Sequence, residues 1–173
     1  MKSSYTDDDF NIIVNLLICI KIILQTKEGI IALLTIDEAL KSIIFALLPV
    51  DIDCILTVLD IFEIIIEKDN HIPISLFSQL IHNPNVDKVL DADGRECYEL
   101  KCGTELIQQA VDSYRKQARE VIDFQSFSEF LEMSEDSELS YSILHFFNSM
   151  LQNVPTLENR LTVCSSFVFD SSS

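Results

Sequence analysis

The sequence is poor in the residues that interrupt helices and form tight turns. It contains three glycines, four prolines and no tryptophan in 173 residues. All-β folds need frequent turn residues between short strands, so this scarcity argues against them. Apolar residues make up 48% of the chain, which is enough to build one domain with a hydrophobic core and argues against an intrinsically disordered chain. The composition therefore predicts an all-α protein.

Basic residues are scarce as well. Twelve lysines and arginines stand against 28 acidic residues, which gives a net charge of −16. Such a charge repels nucleic acid and anionic membrane surfaces, so we expect neither as a partner. It attracts a basic peptide or a basic patch on another protein. The alternative is that the acidic residues only keep an apolar protein soluble.

The familiar catalytic and metal-binding motifs are missing. We find no phosphate-binding loop, dinucleotide-binding glycine motif, zinc-protease motif or serine-hydrolase motif. Cys97 and Cys102 have neither a second cysteine pair nor a nearby histidine to complete a zinc site. We therefore expect no catalytic residue, no metal and no cofactor, and a protein that is not an enzyme. Cys19, Cys54 and Cys164 lie in apolar surroundings and are predicted to be buried thiols in a reducing compartment.

A strongly apolar segment, Asn11 to Leu24, begins the folded part of the chain. It is shorter than the roughly 20 apolar residues that cross a bilayer, so we expect no membrane span. No signal peptide is evident before it. The segment predicts a helix from about Asp9 to Gln25 that is buried on several sides, because it is apolar nearly all round. If an array of repeats is cut here, the helix instead exposes an apolar face, and homodimerisation or poor solubility would follow.

Apolar periodicity predicts a series of helices joined by short loops. The predicted helices span residues 9–25, 30–34, 35–48, 51–68, 74–81, 104–133, 138–152 and 155–167. Thr35 and Glu38 have the spacing of a capping box, residues 91–103 are predicted to be a loop or an insertion, and no strand alternation persists. A short helix followed by two longer ones within ~40 residues is typical of an armadillo repeat. We predict one α-solenoid of armadillo-like repeats over residues 9–167, with flexible tails at 1–8 and 168–173; a compact helical bundle is the alternative.

Two of these helices carry polar side chains at helical spacing. In the helix over 51–68 and the helix over 138–152 the polar residues recur every three or four positions, which places them on one face. The ordinary interpretation is a solvated face, and the functional interpretation is a groove that binds a partner helix. The candidate partner-binding residues are Asp53, Thr57, Asp60, His145, Asn148, Ser149 and Gln152.

Several segments resemble the regulatory region of diaphanous-related formins. The segment Lys27–Pro49 resembles the second-repeat region of that family, where a Lys-x-Gly-Ile turn leads to an apolar helix that ends near a proline. The segments Asp53–Ile66 and Asp123–Leu131 are similar to the stretches that follow. The segment Phe146–Phe167 is the best match. Its fitting positions are Asn148, Pro155, Leu157, Arg160 and Phe167, while Cys164 and Ser166 depart from the pattern. The resemblance covers about residues 10 to 167 and is poor over 69–114.

The resemblance implies an FH3, or diaphanous-inhibitory, armadillo domain in the cytoplasm, associated with the cytoskeleton. Such a domain binds a Rho-type small GTPase and the formin's own basic amphipathic autoregulatory helix, and so regulates actin organisation. Asn148 and Ser149 match an Asn-Ala pair in the family's groove, where a small residue permits close helix contact. We expect a truncated member, without the upstream GTPase-binding segment or the downstream actin-assembling domains. A HEAT or armadillo adaptor unconnected with actin is the alternative, followed by an unrecognised helical enzyme.

Overall fold

The computed structural model describes residues 6–36, 38–47, 51–68, 72, 82–117, 131, 135–154, 156–158, 160, 161 and 164. These residues form mainly helices, with one antiparallel β-hairpin. The helices are α1 (Asp7–Ile23), α2 (Lys27–Thr35), α3 (Ala39–Phe45), α4 (Ile52–Glu67), α5 (Gly103–Gln117) and α6 (Ser137–Asn153), and the strands are β1 (Val86–Leu90) and β2 (Glu96–Leu100). The prediction of a mainly helical protein is confirmed, whereas solenoid stacking stays a prediction. The predicted helix over 74–81 and most of that over 155–167 lie outside the described residues.

Side-chain caps fix where the long helices begin. The Thr6 hydroxyl accepts a hydrogen bond from the Asp9 amide (3.3 Å), and the Asp9 carboxylate accepts one from the Thr6 amide (2.8 Å). This is a capping box, in which two otherwise unpaired amides are satisfied. The Asp51 carboxylate accepts from the Cys54 amide (3.0 Å) at the start of α4. The predicted boundaries of α4 are therefore confirmed to within a residue.

The capping box predicted at Thr35 and Glu38 is wrong. Thr35 lies in the last turn of α2, where its hydroxyl donates to the Ala32 carbonyl (2.7 Å). Glu38 precedes α3 with φ of 65°, in the left-handed region, and makes no side-chain cap. Its carboxylate instead binds the Lys41 ammonium at 2.7 Å. Thr35 cannot act as the predicted N-cap, because an N-cap has non-helical backbone and Thr35 is still part of α2, with its hydroxyl bonded inside that helix.

Residues 86–100 form a β-hairpin, so the prediction of a chain without strands is wrong. Val86 pairs with Leu100 and Leu90 with Glu96. At the turn, the Asp91 carboxylate accepts hydrogen bonds from the amides of Asp93 (2.9 Å) and Arg95 (2.8 Å). Gly94 adopts φ of 76°, which glycine tolerates without a steric penalty. The segment predicted to be the least regular is therefore ordered by its own turn residues.

Helix α4 is the central element of the hydrophobic core. It packs against α1, α5 and α6. Its buried residues are Cys54, Ile55, Val58, Leu59, Ile61, Phe62, Ile65 and Ile66. Helix α5 begins directly against it at Gly103, where an added Cβ atom would lie 2.1 Å from the Ile65 carbonyl oxygen. Because α4 is held from several sides, its remaining polar face has a fixed orientation relative to its neighbours.

Helix α1 is less buried than predicted. Leu17 is its one buried residue, and several large apolar side chains face solvent. These are Ile12 (58% exposed), Leu16 (60%), Ile18 (40%), Ile22 (64%) and Ile23 (56%). Burial on several sides is therefore wrong, and the structure shows the alternative, an exposed apolar face. Cys19 on this helix is exposed as well, whereas Cys54 is buried as predicted and Cys164 is half-buried.

Candidate partner-binding face

The candidate face consists of the outward side of α4 and the adjoining polar side of α6. Helix α4 is apolar over its buried sides, and its polar residues follow one another at steps of three and four. Because successive residues of a helix are rotated by about 100°, this spacing places the polar residues on a single face. Half-buried Leu56 and Ile64 lie next to them on that face. Helix α6 packs directly against α4. The two predicted stripes therefore lie on neighbouring helices.

Glu63 and His145 form the polar contact between the two stripes. The Glu63 Oε1 atom lies 2.6 Å from His145 Nδ1, and the two residues are 82 positions apart in sequence. The hydrogen bond that the Glu63 carboxylate accepts, and then the negative charge of the same carboxylate, raise the pKa of His145. Glu67 raises this pKa further by its charge. A protonated His145 therefore makes a charge-assisted hydrogen bond to α4 and lowers the negative charge of this face.

Asp60 lies against α1 and is already paired. Its carboxylate binds the Lys21 ammonium at 2.5 Å, and the two side chains are 47% and 39% exposed. A half-exposed ion pair of this kind adds little to stability. It does, however, neutralise much of the Asp60 charge, so that Asp60 attracts a partner less strongly than an unpaired acid would.

Asp53 and Glu67 carry the uncompensated negative charge of α4. Both side chains are exposed, and within the described part of the chain neither makes a hydrogen bond or an ion pair. Thr57 is half-buried, and its hydroxyl donates to the Asp53 carbonyl at 2.7 Å. The face thus has an unpaired acid towards each end of α4 and neutralised acids between them.

Ser149 differs in position from the rest of its predicted stripe. It is 6% exposed and therefore buried, whereas Asn148 and Gln152 are exposed. Ser149 follows His145 by one turn, and His145 contacts α4, so Ser149 lies on the side of α6 that faces α4. Its placement on the solvent-facing polar stripe is wrong. Its small side chain suits the close packing of two helices rather than direct contact with a partner.

A buried aromatic pair joins α4 and α6 beneath this face. The Phe62 and Phe146 rings lie 5.8 Å apart, and both side chains are at most 1% exposed. Each of these residues directly neighbours a member of the Glu63–His145 pair in sequence. The buried ring contact and the Glu63–His145 hydrogen bond therefore both join the same turns of α4 and α6. On the surface of α6, the Tyr141 ring lies 5.7 Å from the His145 ring and is 68% exposed.

The sequence prediction missed an apolar groove between α1, α2 and α3. The groove has a volume of about 410 Å³. Its lining includes Ile13, Leu16 and Ile20 of α1, Leu33 of α2, and Ile43 and Phe45 of α3. The strongly apolar sequence of α1 was the signal for it, although such a sequence cannot indicate which side of a helix stays uncovered.

The described residues offer contacts for binding and little reactive chemistry. Burial, followed by the nearby Asp51 carboxylate, raises the pKa of Cys54 to about 12, so this thiol is a poor nucleophile. Within the described ranges, no three histidine, cysteine or acidic side chains are close enough to hold a metal ion. Over the same part of the chain, no helix has both the length and the apolar content to cross a bilayer.

Comparison with known proteins identifies no relative of this chain. No protein family matches it, and no curated protein and no solved structure is detectably similar to it.

Proposed function

We propose that this chain is a non-catalytic regulatory module that binds a basic amphipathic helix of a partner protein on the outward face of α4 and α6. One observation carries the proposal. The acidic stripe of α4 and the polar stripe of α6, predicted from separate segments, lie on helices that pack together and are joined by the Glu63–His145 hydrogen bond. An amphipathic helix binds through its apolar side and adds charge pairs at the edge of the contact; on α4, half-buried Leu56 and Ile64 lie among the acidic residues that would form such pairs.

The charge of this face defines the kind of helix that fits. Asp53 and Glu67 are separated by 14 residues, or about 21 Å along α4. Half-buried Leu56 and Ile64 lie between them. A partner helix with lysines or arginines about four turns apart, and an apolar strip between them, would pair both acids while covering this apolar centre. The net charge of −16 would also speed its approach.

The formin resemblance supplies the biological setting of the proposal. In this setting the chain is an armadillo-like α-solenoid of the FH3 type, in the cytoplasm and associated with the cytoskeleton. Its partner helix is the autoregulatory segment of a formin, a Rho-type GTPase is a second partner, and actin organisation is the process regulated. The support for it is the sequence similarity of Lys27–Pro49 and Phe146–Phe167, together with the mainly helical fold.

Titration of the full chain with a basic amphipathic peptide from a formin C-terminus tests the proposal. We expect saturable binding by fluorescence anisotropy. The double variant Asp53→Asn/Glu67→Gln should bind about 3- to 30-fold more weakly, because each lost surface pair is worth about 0.3–1 kcal/mol. The matched control is Asp87→Asn/Glu99→Gln, which removes the same charge from two exposed, paired strand positions of the hairpin. Equal weakening by the two double variants, or no binding of the peptide, would contradict the proposed face.

An adaptor that is unconnected with actin is the second candidate, because the face itself selects charge and amphipathicity rather than a particular sequence. A designed basic amphipathic helix with no similarity to formins distinguishes the two. Binding of this helix as tight as that of the formin peptide, with the same sensitivity to Asp53→Asn/Glu67→Gln, favours the adaptor. A clear preference for the formin peptide favours the formin setting.

A further inference from the structure

Helix α1 carries an exposed apolar stripe made of Ile12, Leu16, Cys19 and Ile23. All four side chains are exposed, and the three large ones are 56–60% exposed. Their spacing of four, three and four residues places them within an arc of about 60° around the helix. This is the spacing of the seam between two packed helices. The stripe borders the apolar groove between α1 and α3, with Leu16 belonging to both.

The stripe has the same spacing when it is read in either direction along α1. A two-fold axis between Leu17 and Ile18, perpendicular to the helix, would place Ile12 opposite Ile23 of a second copy. The same axis would place Leu16 opposite Cys19 of that copy. An interface between identical copies related by a two-fold axis must be complementary to itself, and this stripe meets that condition.

The stripe also lies on a helix face that carries little charge, although the chain as a whole is strongly acidic. Between Phe10 and Thr26 the one charged residue is Lys21, and it binds Asp60 of α4. The polar neighbours of the stripe are the uncharged Asn11 and Asn15. With a net charge of −16, two copies repel each other least where neutral surfaces meet. A charged partner would gain no charge attraction from this face, whereas the self-complementary spacing of the stripe suits a second copy.

We propose that two copies of this chain associate through an antiparallel contact between their α1 helices. The seam from Ile12 to Ile23 is about 17 Å long. A contact of this length buries less than the ~800 Å² per partner of a standard stable interface, so the dimer is a weak one. We expect a dissociation constant on the order of 10 µM. This proposal uses a different surface from the α4–α6 face and does not rest on the proposed function.

Sedimentation velocity of the full chain over about 1 to 200 µM tests the association. We expect a shift from monomer to dimer with concentration, and loss of the dimer in Leu16→Asp, which places two charges in the seam. The matched control is Leu144→Asp on α6, which is 58% exposed against 60% for Leu16. It adds the same charge and should still dimerise. Equal helical circular dichroism of both variants shows that they are folded. A monomer at every concentration, open-ended oligomers, or loss of the dimer in both variants would overturn the proposal.

Disulfide trapping tests the antiparallel register. Under oxidation, Leu16→Cys should form an intermolecular disulfide with Cys19 of the second copy, identified by mass spectrometry of the linked peptide. In Leu16→Cys/Cys19→Ser this link cannot form, because Cys19 is absent. A link between the two residues at position 16 is disfavoured as well, because they are offset by about 4.5 Å along the antiparallel seam. A parallel seam predicts the reverse result. The double variant would then form a disulfide between its two introduced thiols, and the wild type would form one between the two copies of Cys19; either link would overturn the register.

Discussion

Replacing Phe146 with alanine should destabilise the protein by about 3–5 kcal/mol, the usual cost of removing a buried phenylalanine. Phe146 has no exposed surface, and its ring lies 5.8 Å from the ring of Phe62 at an angle of 36°. The variant loses the transfer free energy of the ring and leaves a cavity between α4 and α6 that the two helices cannot fully close. Because domains of ordinary stability unfold at about 5–15 kcal/mol, this loss is a large fraction of the total.

The aromatic pair should contribute a separate, measurable coupling. Pairs with this geometry add about 0.5–1.5 kcal/mol beyond the area that they bury. Phe62→Leu and Phe146→Leu each keep most of the apolar volume, so each should cost less than about 1.5 kcal/mol. A double-mutant cycle built from these two variants isolates the ring contact from the cavity.

Urea unfolding followed by circular dichroism measures both quantities. With a slope of about 2 kcal/mol per molar urea, Phe146→Ala should lower the transition midpoint by about 1.5–2.5 M. The control Leu144→Ala removes a side chain that is 58% exposed on the same helix, and it should change stability by no more than about 0.5 kcal/mol. A loss in Phe146→Ala no larger than in this control, together with zero coupling in the cycle, would show that α4 and α6 are not packed as described. The candidate face would then not be assembled.

Further predictions concern single contacts. Glu63 raises the pKa of His145 in the folded protein, so the pair stabilises fully below the unfolded pKa of about 6.5 and loses its effect as pH rises through the folded value. The difference in melting temperature between wild type and His145→Gln should therefore be larger at pH 5 than at pH 9, and a constant difference would refute this. Gly103→Ala should unfold or strongly destabilise the protein in thermal denaturation, because its Cβ would lie 2.1 Å from the Ile65 carbonyl oxygen. Asp51→Ala should cost about 1 kcal/mol in urea unfolding through loss of the cap on the Cys54 amide, and an unchanged midpoint would contradict that cap.

The sequence predicted best the elements whose signals are local. Helix α4 has an acidic cap at Asp51, a wide apolar stripe and a polar stripe with the same period, so its type, its bounds and its buried side all follow from its own residues. The type and bounds of α6 follow in the same way, since the carboxylate of Asp136 accepts from the Leu139 amide at 3.0 Å at its start. In both helices one face is clearly more apolar than the other, and hydrophobic burial therefore selects a single orientation.

The hairpin and the orientation of α1 depend on contacts between residues that are not neighbours in the sequence. Strands β1 and β2 are five residues long, too short for a clear alternation pattern, and the Asp93-Gly94 turn signal between them was the better guide. Helix α1 is apolar nearly all round, so its pattern cannot say which side contacts α4. The burial of Ser149 has a related cause, because it is set by packing against α4, whose sequence lies about 80 residues away.

The distribution of charge connects the two proposed interfaces. The side chains of Asp53 and Glu67 are unpaired on α4. In the stripe region of α1 the one charged residue is Lys21, and it forms an ion pair with Asp60 of α4. The ion pair thus neutralises the positive charge that would have attracted acidic surfaces to the stripe, and the stripe region of α1 carries no unpaired charge. Salt screens attraction between exposed charges but does not weaken apolar association. Binding of a basic helix to α4 and α6 should therefore weaken as salt is added, while the contact between α1 helices should persist, since the two faces of the same chain rely on different physical forces.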